Sequence, residues 1–335
     1  MKKFMKICGI TVLIIFLLGV GMATIGKLGG GDRTLERQVL DGVFSFGSDV
    51  RDWGVRWLWN EEWNTYDLNM DNIFDYAYDV LRSGESVTDF NSEEIQNMEL
   101  SLGGCKMILR ESADGDFHVR AEKVQNFQTY VKGDTLYVNS LVSGSWSFSS
   151  NSTVITIEIP AGFQFEKVRM SLGAGEFTSD FLSSQEVKLE LGGGDFTFEN
   201  LTADALECEL GAGRVTIEKL SIADMECEVG AGQIIIRDAE TTGDLDFEVG
   251  MGDLEFTGSV PGNLEAECSM GQMRFHIEGS REGDHDYNLQ CAAGNLRVGS
   301  TSFSGVAADK KIDNGTGSLY KLECAMGNLE VTFSE

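Results

Sequence analysis

The chain has 335 residues, 42% of them hydrophobic, and 54 Asp plus Glu against 26 Lys plus Arg give a formal net charge of −28. So acidic a surface repels nucleic-acid phosphates, which excludes a nucleic-acid role and leaves a hydrated exterior or a cationic partner. Forty glycines against two prolines point to many tight turns, and the length admits two or three ordinary domains or one long repetitive one.

The first element in chain order is an address. Lys2, Lys3 and Lys6 precede an uncharged run, Ile7 to Gly26, rich in Ile, Leu and Val. As a helix, its residues 7–25 span roughly 28 Å, close to a bilayer's hydrocarbon thickness. Residues 1–26 therefore read as a single-pass membrane anchor. A signal peptide cleaved near Gly21-Met22-Ala23 is the competing reading. The leading lysines favour a cytoplasmic N-terminus and an extracytoplasmic body, though Lys27, Arg33 and Arg37 dilute the asymmetry.

Residues 27–96 form an aromatic, acidic linker. Trp53, Trp57, Trp59 and Trp63 lie beside Arg51 and Arg56, a combination that suits a membrane interface or a partner's pocket. Met70, Ile73, Phe74, Ala77, Val80 and Leu81 fall at helical spacing, and Gly84 could end that helix. Such a helix would cap the open edge of whatever follows.

Residues 97–335 are dominated by a repeat. Its units include LECELGAGRVTI, MECEVGAGQIII, LDFEVGMGDLEF and YKLECAMGNLEV. The reference glycines are Gly175, Gly194, Gly213, Gly232, Gly252, Gly271, Gly294 and Gly327. The first six are 19 or 20 residues apart, and gaps of 23 and 33 then read as the same unit with inserted loops. A divergent copy sits at Met98–Leu109.

Apolar or small residues alternate at −7, −5, −3 and −1 from the glycine, as in Leu206, Cys208, Leu210 and Ala212. At the glycine the phase slips, and +2 and +4 become apolar, as in Val215 and Ile217. That pattern describes a strand, a corner and a second strand. One unit cannot bury its apolar face alone, but stacked copies can. The expected fold is all-β: a single-stranded, right-handed parallel β-helix with about 19 residues per coil, the hand following the crossover rule. A propeller needs about 40 residues per blade and is excluded.

The stretch from about Asp114 to Glu335 resembles a bacterial family of surface β-strand-repeat proteins of unknown function, grouped as candidate adhesins. The residues that carry the resemblance are Gly133-Asp134-Thr135-Leu136, Ile157-Glu158-Ile159-Pro160-Ala161-Gly162, the Gly-x-Gly coils, Lys311-Ile312-Asp313-Asn314-Gly315-Thr316-Gly317 and Cys324-Ala325-Met326-Gly327-Asn328-Leu329. The resemblance implies a parallel β-helix at the cell envelope and supplies no catalytic residues.

The Gly-x-Gly turns are structural corners, because a phosphate loop needs a helix N-terminus after the glycines and here strand follows strand. They also fail as calcium-binding repeats, since Arg214, Gln233, Gln272 and Asn295 interrupt any ladder of carboxylates. Outward positions −6 and −4 are more distinctive. They carry Glu207 and Glu209, Glu226 and Glu228, Asp246 and Glu248, Glu265 and Glu267. In register, like charges would stack at a cost in stability. Glu209, Glu228, Glu248 and Glu267 are the candidate cation face, with Ca²⁺ the ion that suits carboxylate oxygens. The bland alternative is a solvated acidic surface.

Cys208 and Cys227 share position −5, and Cys268, Cys291 and Cys324 share position −3, which reads as a ladder of small buried hydrophobes. Zinc spacing is absent, and His118, His276 and His285 lie scattered. With no nucleophile–base arrangement, the chain reads as a non-catalytic, membrane-held binding or scaffold module of the envelope, with no cofactor and an envelope protein or cell-wall partner. The runner-up is an envelope sensor or regulator acting through the tryptophan segment, followed by a polysaccharide-active enzyme.

Overall fold

A computed structural model describes residues 74–75, 77–140, 153–304 and 308–335. The membrane-anchor segment and Trp53, Trp57, Trp59 and Trp63 lie outside the described residues. Among the described residues, no helix is long and apolar enough to cross a membrane.

Among the described residues the architecture is all-β, with nineteen strands in one continuous pairing network and only two short 3-10 turns. The N-terminal part comprises β1 (Leu81–Phe90), β2 (Asn97–Glu111), β3 (Phe117–Lys132), β4 (Thr135–Ser140) and β5 (Val154–Ile159). The repeat proper follows as β6 (Phe165–Ser179), β7 (Leu182–Leu210), β8 (Arg214–Val229), β9 (Gln233–Thr241), β10 (Leu245–Val249), β11 (Asp253–Ser259), β12 (Leu264–Cys268) and β13 (Gln272–Glu278). Then come β14 (Asp286–Cys291), β15 (Asn295–Val298), β16 (Thr301–Ser304), β17 (Ala308–Ile312), β18 (Leu319–Cys324) and β19 (Asn328–Ser334).

Successive coils pair in parallel, residue for equivalent residue. Leu206 stands opposite Met225, Cys208 opposite Cys227 and Leu210 opposite Val229. Within one coil the side chains of Leu206, Cys208, Leu210, Val215, Ile217, Leu220 and Ile222 are buried. Each such burial contributes about 1.5–3 kcal/mol before the entropy of ordering is subtracted. The coil between Gly232 and Gly252 is one residue longer. It absorbs the excess as a bulge at Asp238, whose φ of 46° is left-handed.

The corner differs from the expected one in phase. Ala212 and Ala231, at −1, are exposed, whereas Gly232, Gly252 and Gly271 are buried. The bend therefore occupies −2 and −1, and these glycines already face inward just before the second strand begins at Gln233, Asp253 and Gln272. Its missing Cβ is essential. A Cβ on Gly271 would lie 2.0 Å from the carbonyl oxygen of Gly252, and that same oxygen accepts the Gln272 N–H at 3.0 Å. Gly213 adds a left-handed φ of 138° to an equally close approach, 2.4 Å from the Gly194 oxygen.

The order of coils departs from chain order at both ends. β18 pairs with β12 on one side and β14 on the other, so the coil formed by β18 and β19 lies between the coil of β12 and β13 and that of β14 and β15. The outer coil is then covered by antiparallel β17 on β14 and β16 on β15. The N-terminal end repeats the manoeuvre: β2 lies between β6 and the pair β4 and β5, and antiparallel β3 covers β4 and β5. Antiparallel β1 covers β3 in turn.

β1 replaces part of the expected capping helix. Leu81 opens the strand and Gly84 lies within it, because pairing with β3 overrides the local helical spacing. Residues 70–73 of that helix lie outside the described residues. Just before β1, the buried Gln128 donates from Nε2 to the carbonyl oxygens of Asp75 (2.7 Å) and Tyr78 (3.0 Å) and accepts the Asp75 N–H (3.2 Å). Tyr78 stacks on Tyr130 at 4.1 Å, and Lys132 pairs with Asp75 at 2.8 Å. At the other end, Asp286 Oδ1 accepts the N–H groups of Asn314 (2.6 Å) and Gly315 (3.0 Å). This folds the Asn314–Gly317 turn that returns the chain into the column.

The close glycine stacking makes a direct prediction. Gly271→Ala should lower unfolding free energy by about 2–3 kcal/mol in denaturant titration, as an overpacked site does. Gly104→Ala, whose Cβ meets only the Ala174 oxygen at 3.9 Å, should cost under about 0.5 kcal/mol. Equal effects would remove the corner contact from the account.

Candidate functional site

The outward side chains of the first strand form two rows whose register is set by the ladder beneath them. One row runs Glu207, Glu226, Asp246, Glu265, and the other Glu209, Glu228, Glu248, Glu267. Each rung lies about 4.8 Å from the next. The structure thus brings all four candidate cation-face glutamates into one file.

The file is bracketed by lysines. Lys188, with only 10% of its side chain exposed, lies 2.5 Å from Glu207 and 3.7 Å from both Glu190 and Glu209. At the far end Lys321 pairs with Glu265, with Glu323 at 3.1 Å and with Glu267 at 3.5 Å. Sequence order hides Lys321, because it places the Asn288 coil next to Glu265. The threading of β18 puts Lys321 opposite Glu265 instead. The signal was present in the two long glycine gaps, which mark the chain leaving and re-entering the column.

Between the lysines, the charge is held at a cost. Burial, reinforced by Glu228, Glu190 and Glu207 and opposed by Lys188, pushes the Glu209 carboxyl up to about 7. Burial followed by repulsion from Glu265, Glu248, Glu226 and Glu267 pushes Asp246 up to about 6. One buried oxygen of Asp246 lacks a hydrogen-bond partner among the described residues.

The adjoining second-strand face behaves differently. There Lys106 meets Glu176 at 2.7 Å, Arg214 meets Asp195 at 3.6 Å, Arg274 meets Glu255 at 3.4 Å and Arg297 meets Glu330 at 3.3 Å. Opposite charges from neighbouring coils pair on that face, whereas like charges accumulate on the first.

Among the described residues, no group of three or more His, Cys, Asp or Glu is placed to hold a metal ion. A calcium cage needs six to eight converging oxygens, whereas these rows offer parallel carboxylates one rung apart. The glutamate file therefore forms an extended acidic surface and not a cage. The cysteines are free and stacked by register: Cys208 beside Cys227, and Cys268, Cys324 and Cys291 in line. All five are buried. The glycine corners Gly175, Gly194, Gly213, Gly232, Gly252, Gly271, Gly327 and Gly294 form one file in that spatial order. The histidines stand apart: His118 lies 2.7 Å from both Asp89 and Asp114, His276 contacts Thr332, and buried His285 stacks on Tyr320.

The raised carboxyls fix the sign of a pH effect. Glu209 and Asp246 bind protons more readily folded than unfolded, so their destabilising charge is fully present above pH 7 and is relieved as pH falls toward their ordinary values. Melting temperature should therefore rise from pH 8 to pH 5.5. Glu209→Gln with Asp246→Asn should melt higher than the unsubstituted protein at pH 8 and show a flatter rise. An unchanged pH slope in that variant would count against the strained file.

The family model Toastrack DUF4097 matches residues 95–331. The comparison with curated proteins returns no match. Similar solved structures include a candidate adhesin from Parabacteroides merdae ATCC 43184, at 11% identity over 74% of this chain and 96% of that one, with a TM-score of 0.39. A second candidate adhesin, from Bacteroides fragilis NCTC 9343, shows 14% identity over 74% and 96%, with a TM-score of 0.37. A candidate lipid-binding protein from Parabacteroides distasonis ATCC 8503 shows 13% identity over 75% and 97%, with a TM-score of 0.39. With residues 95–331 matched, this chain belongs to the Toastrack DUF4097 family.

Proposed function

We propose that this chain is a non-catalytic binding or scaffold module of the bacterial cell envelope, tethered by the apolar helix of residues 1–26 with its column outside the cytoplasm. The column is read as a single-stranded, right-handed parallel β-helix, the hand following the rule for parallel crossovers. The observation that carries the reading is that both ends are covered while the long faces stay open. β1 carries Arg82, Glu85 and Asp89, and β17 carries Asp309, Lys310 and Lys311, all six exposed. Charged edge strands resist adding another strand, so contacts fall to the lateral faces.

Regular rows of one residue type suit an extended partner. They do not converge on a reacting atom as catalytic groups must.

A second reading, a sensor or regulator, draws support from the strap at Asp75–Tyr78. Gln128, Lys132 and Tyr130 hold the segment that follows the tryptophan-rich linker against the column. A partner captured by Trp53, Trp57, Trp59 or Trp63 would then act on a segment already fastened to the fold. Deleting residues 43–72 separates the readings: surface binding survives under the first, and partner capture disappears under the second.

The tether is tested by fractionation and shaving of intact cells. The full chain should stay with membranes through alkaline carbonate, and external protease should digest the column without lysis. Release into the soluble fraction would end the tether reading, and protection until lysis would reverse the orientation.

A further inference from the structure

Position −1 of the coil, the last corner residue before the glycine, is Ala174, Gly193, Ala212 and Ala231 in four successive coils. The corner backbone therefore asks for no large side chain there. In the next three coils in space the residue is Met251, Met270 and Met326. Their backbones stack in register: the N–H of Met251 donates to Gly230 O, that of Met270 to Gly250 O and that of Met326 to Ser269 O, each at 2.8 Å.

The contiguity of this row is a product of the threading. In chain order Ala293 would separate Met270 from Met326, but the coil of β18 and β19 lies directly beside that of β12 and β13, and Ala293 falls outside the row. Met326 is 63% exposed, an uncommon position for so apolar a side chain, and Met251 and Met270 are half-buried. Rungs about 4.8 Å apart place three thioethers within mutual reach, since methionine has three rotatable side-chain bonds.

We propose that Met251, Met270 and Met326 form a surface site for a soft monovalent cation, copper(I) in particular. Thioether sulfur is a soft ligand that suits such an ion and suits the hard cations calcium and magnesium poorly. The neighbouring acidic file, with Glu248 and Glu267 three residues before Met251 and Met270, raises the local cation concentration. The cysteines of the same coils are not the ligands. Cys268, Cys324 and Cys291 are buried on the inner side of the corner backbone, where Cys324 Sγ donates to Gly327 O at 3.1 Å and Cys291 Sγ to Gly294 O at 3.2 Å.

The test is copper(I) competition against a chromophoric chelator, with silver(I) titration as a redox-stable second probe, on the full chain in detergent. The unsubstituted protein should take up one equivalent. Met251→Leu, Met270→Leu and Met326→Leu combined should weaken binding by at least about tenfold, with an unchanged metal-free melting temperature because the exchange conserves volume. Cys268→Ser with Cys324→Ser should still bind. Unchanged binding in the leucine variant, or loss of binding in the serine variant alone, would overturn the assignment.

Discussion

The contact on which everything else rests is the one between a corner glycine and the carbonyl oxygen of the glycine one coil below. At Gly271 a methyl group would sit 2.0 Å from the Gly252 oxygen, and at Gly294 it would sit 2.4 Å from that of Gly327. No side chain fits at these positions, so each corner needs glycine where it passes over the carbonyl oxygen of the neighbouring coil, which belongs to Cys105 under Gly175 and to a glycine elsewhere. That single fit sets the vertical alignment of the coils. Alignment then makes every position a row, inside and out. The core is a set of rows of Leu, Val, Ile, Phe and Cys, and the surface is a set of rows of charge. A slip of one residue would turn Leu206, Cys208 and Leu210 toward water and Glu207 and Glu209 into the core.

Rows multiply whatever their residues carry. Two like charges one rung apart repel by about 1 kcal/mol in water and by several times that where water is partly excluded. The second-strand face relieves this with cations between carboxylates, most regularly in the row Glu255, Arg274, Glu330, Arg297, where the sign alternates from coil to coil. The first-strand face does not alternate, and it is bounded by Lys188 and Lys321 at the two ends of its longest acidic run. Those lysines each touch three carboxylates, Glu209 among them, whereas Asp246 lies between them and meets only like charge.

Much of this was legible in the residues. The 19-residue period, the alternation on either side of the glycine and the acidic rows at −6 and −4 all follow from composition at fixed spacing. Three features were not. The exposure of Ala212 and Ala231 depends on where the backbone bends, and a small residue at −1 is compatible with either face. The strand at Leu81–Phe90 was masked by Phe74, Ala77, Val80 and Leu81 at helical spacing, a local preference that antiparallel pairing with β3 outweighs. The order of the final coils was hidden for a deeper reason. A repeat shows which segments are equivalent but not which are neighbours, and only the glycine gaps of 23 and 33 hint that the chain leaves the column and returns.

That return has a physical logic which links the ends of the fold to its surface chemistry. A coil stacked last, with a free terminus, would have one unpaired edge and one ladder of contacts, and such ends fray. Here the first coil, of β2, and the last, of β18 and β19, each lie between two others and gain a ladder on both sides. The segments left outermost are antiparallel strands that need not repeat the coil pattern and can carry charge along their edges. The same re-entry decides which side chains become neighbours on the surface. It sets Lys321 against Glu265 and Met326 against Met270, pairs that a strictly sequential stack would hold two rungs apart. End protection and the composition of the outer rows are therefore consequences of one threading, and a change in the connection from β15 to β18 that altered the threading would alter both together.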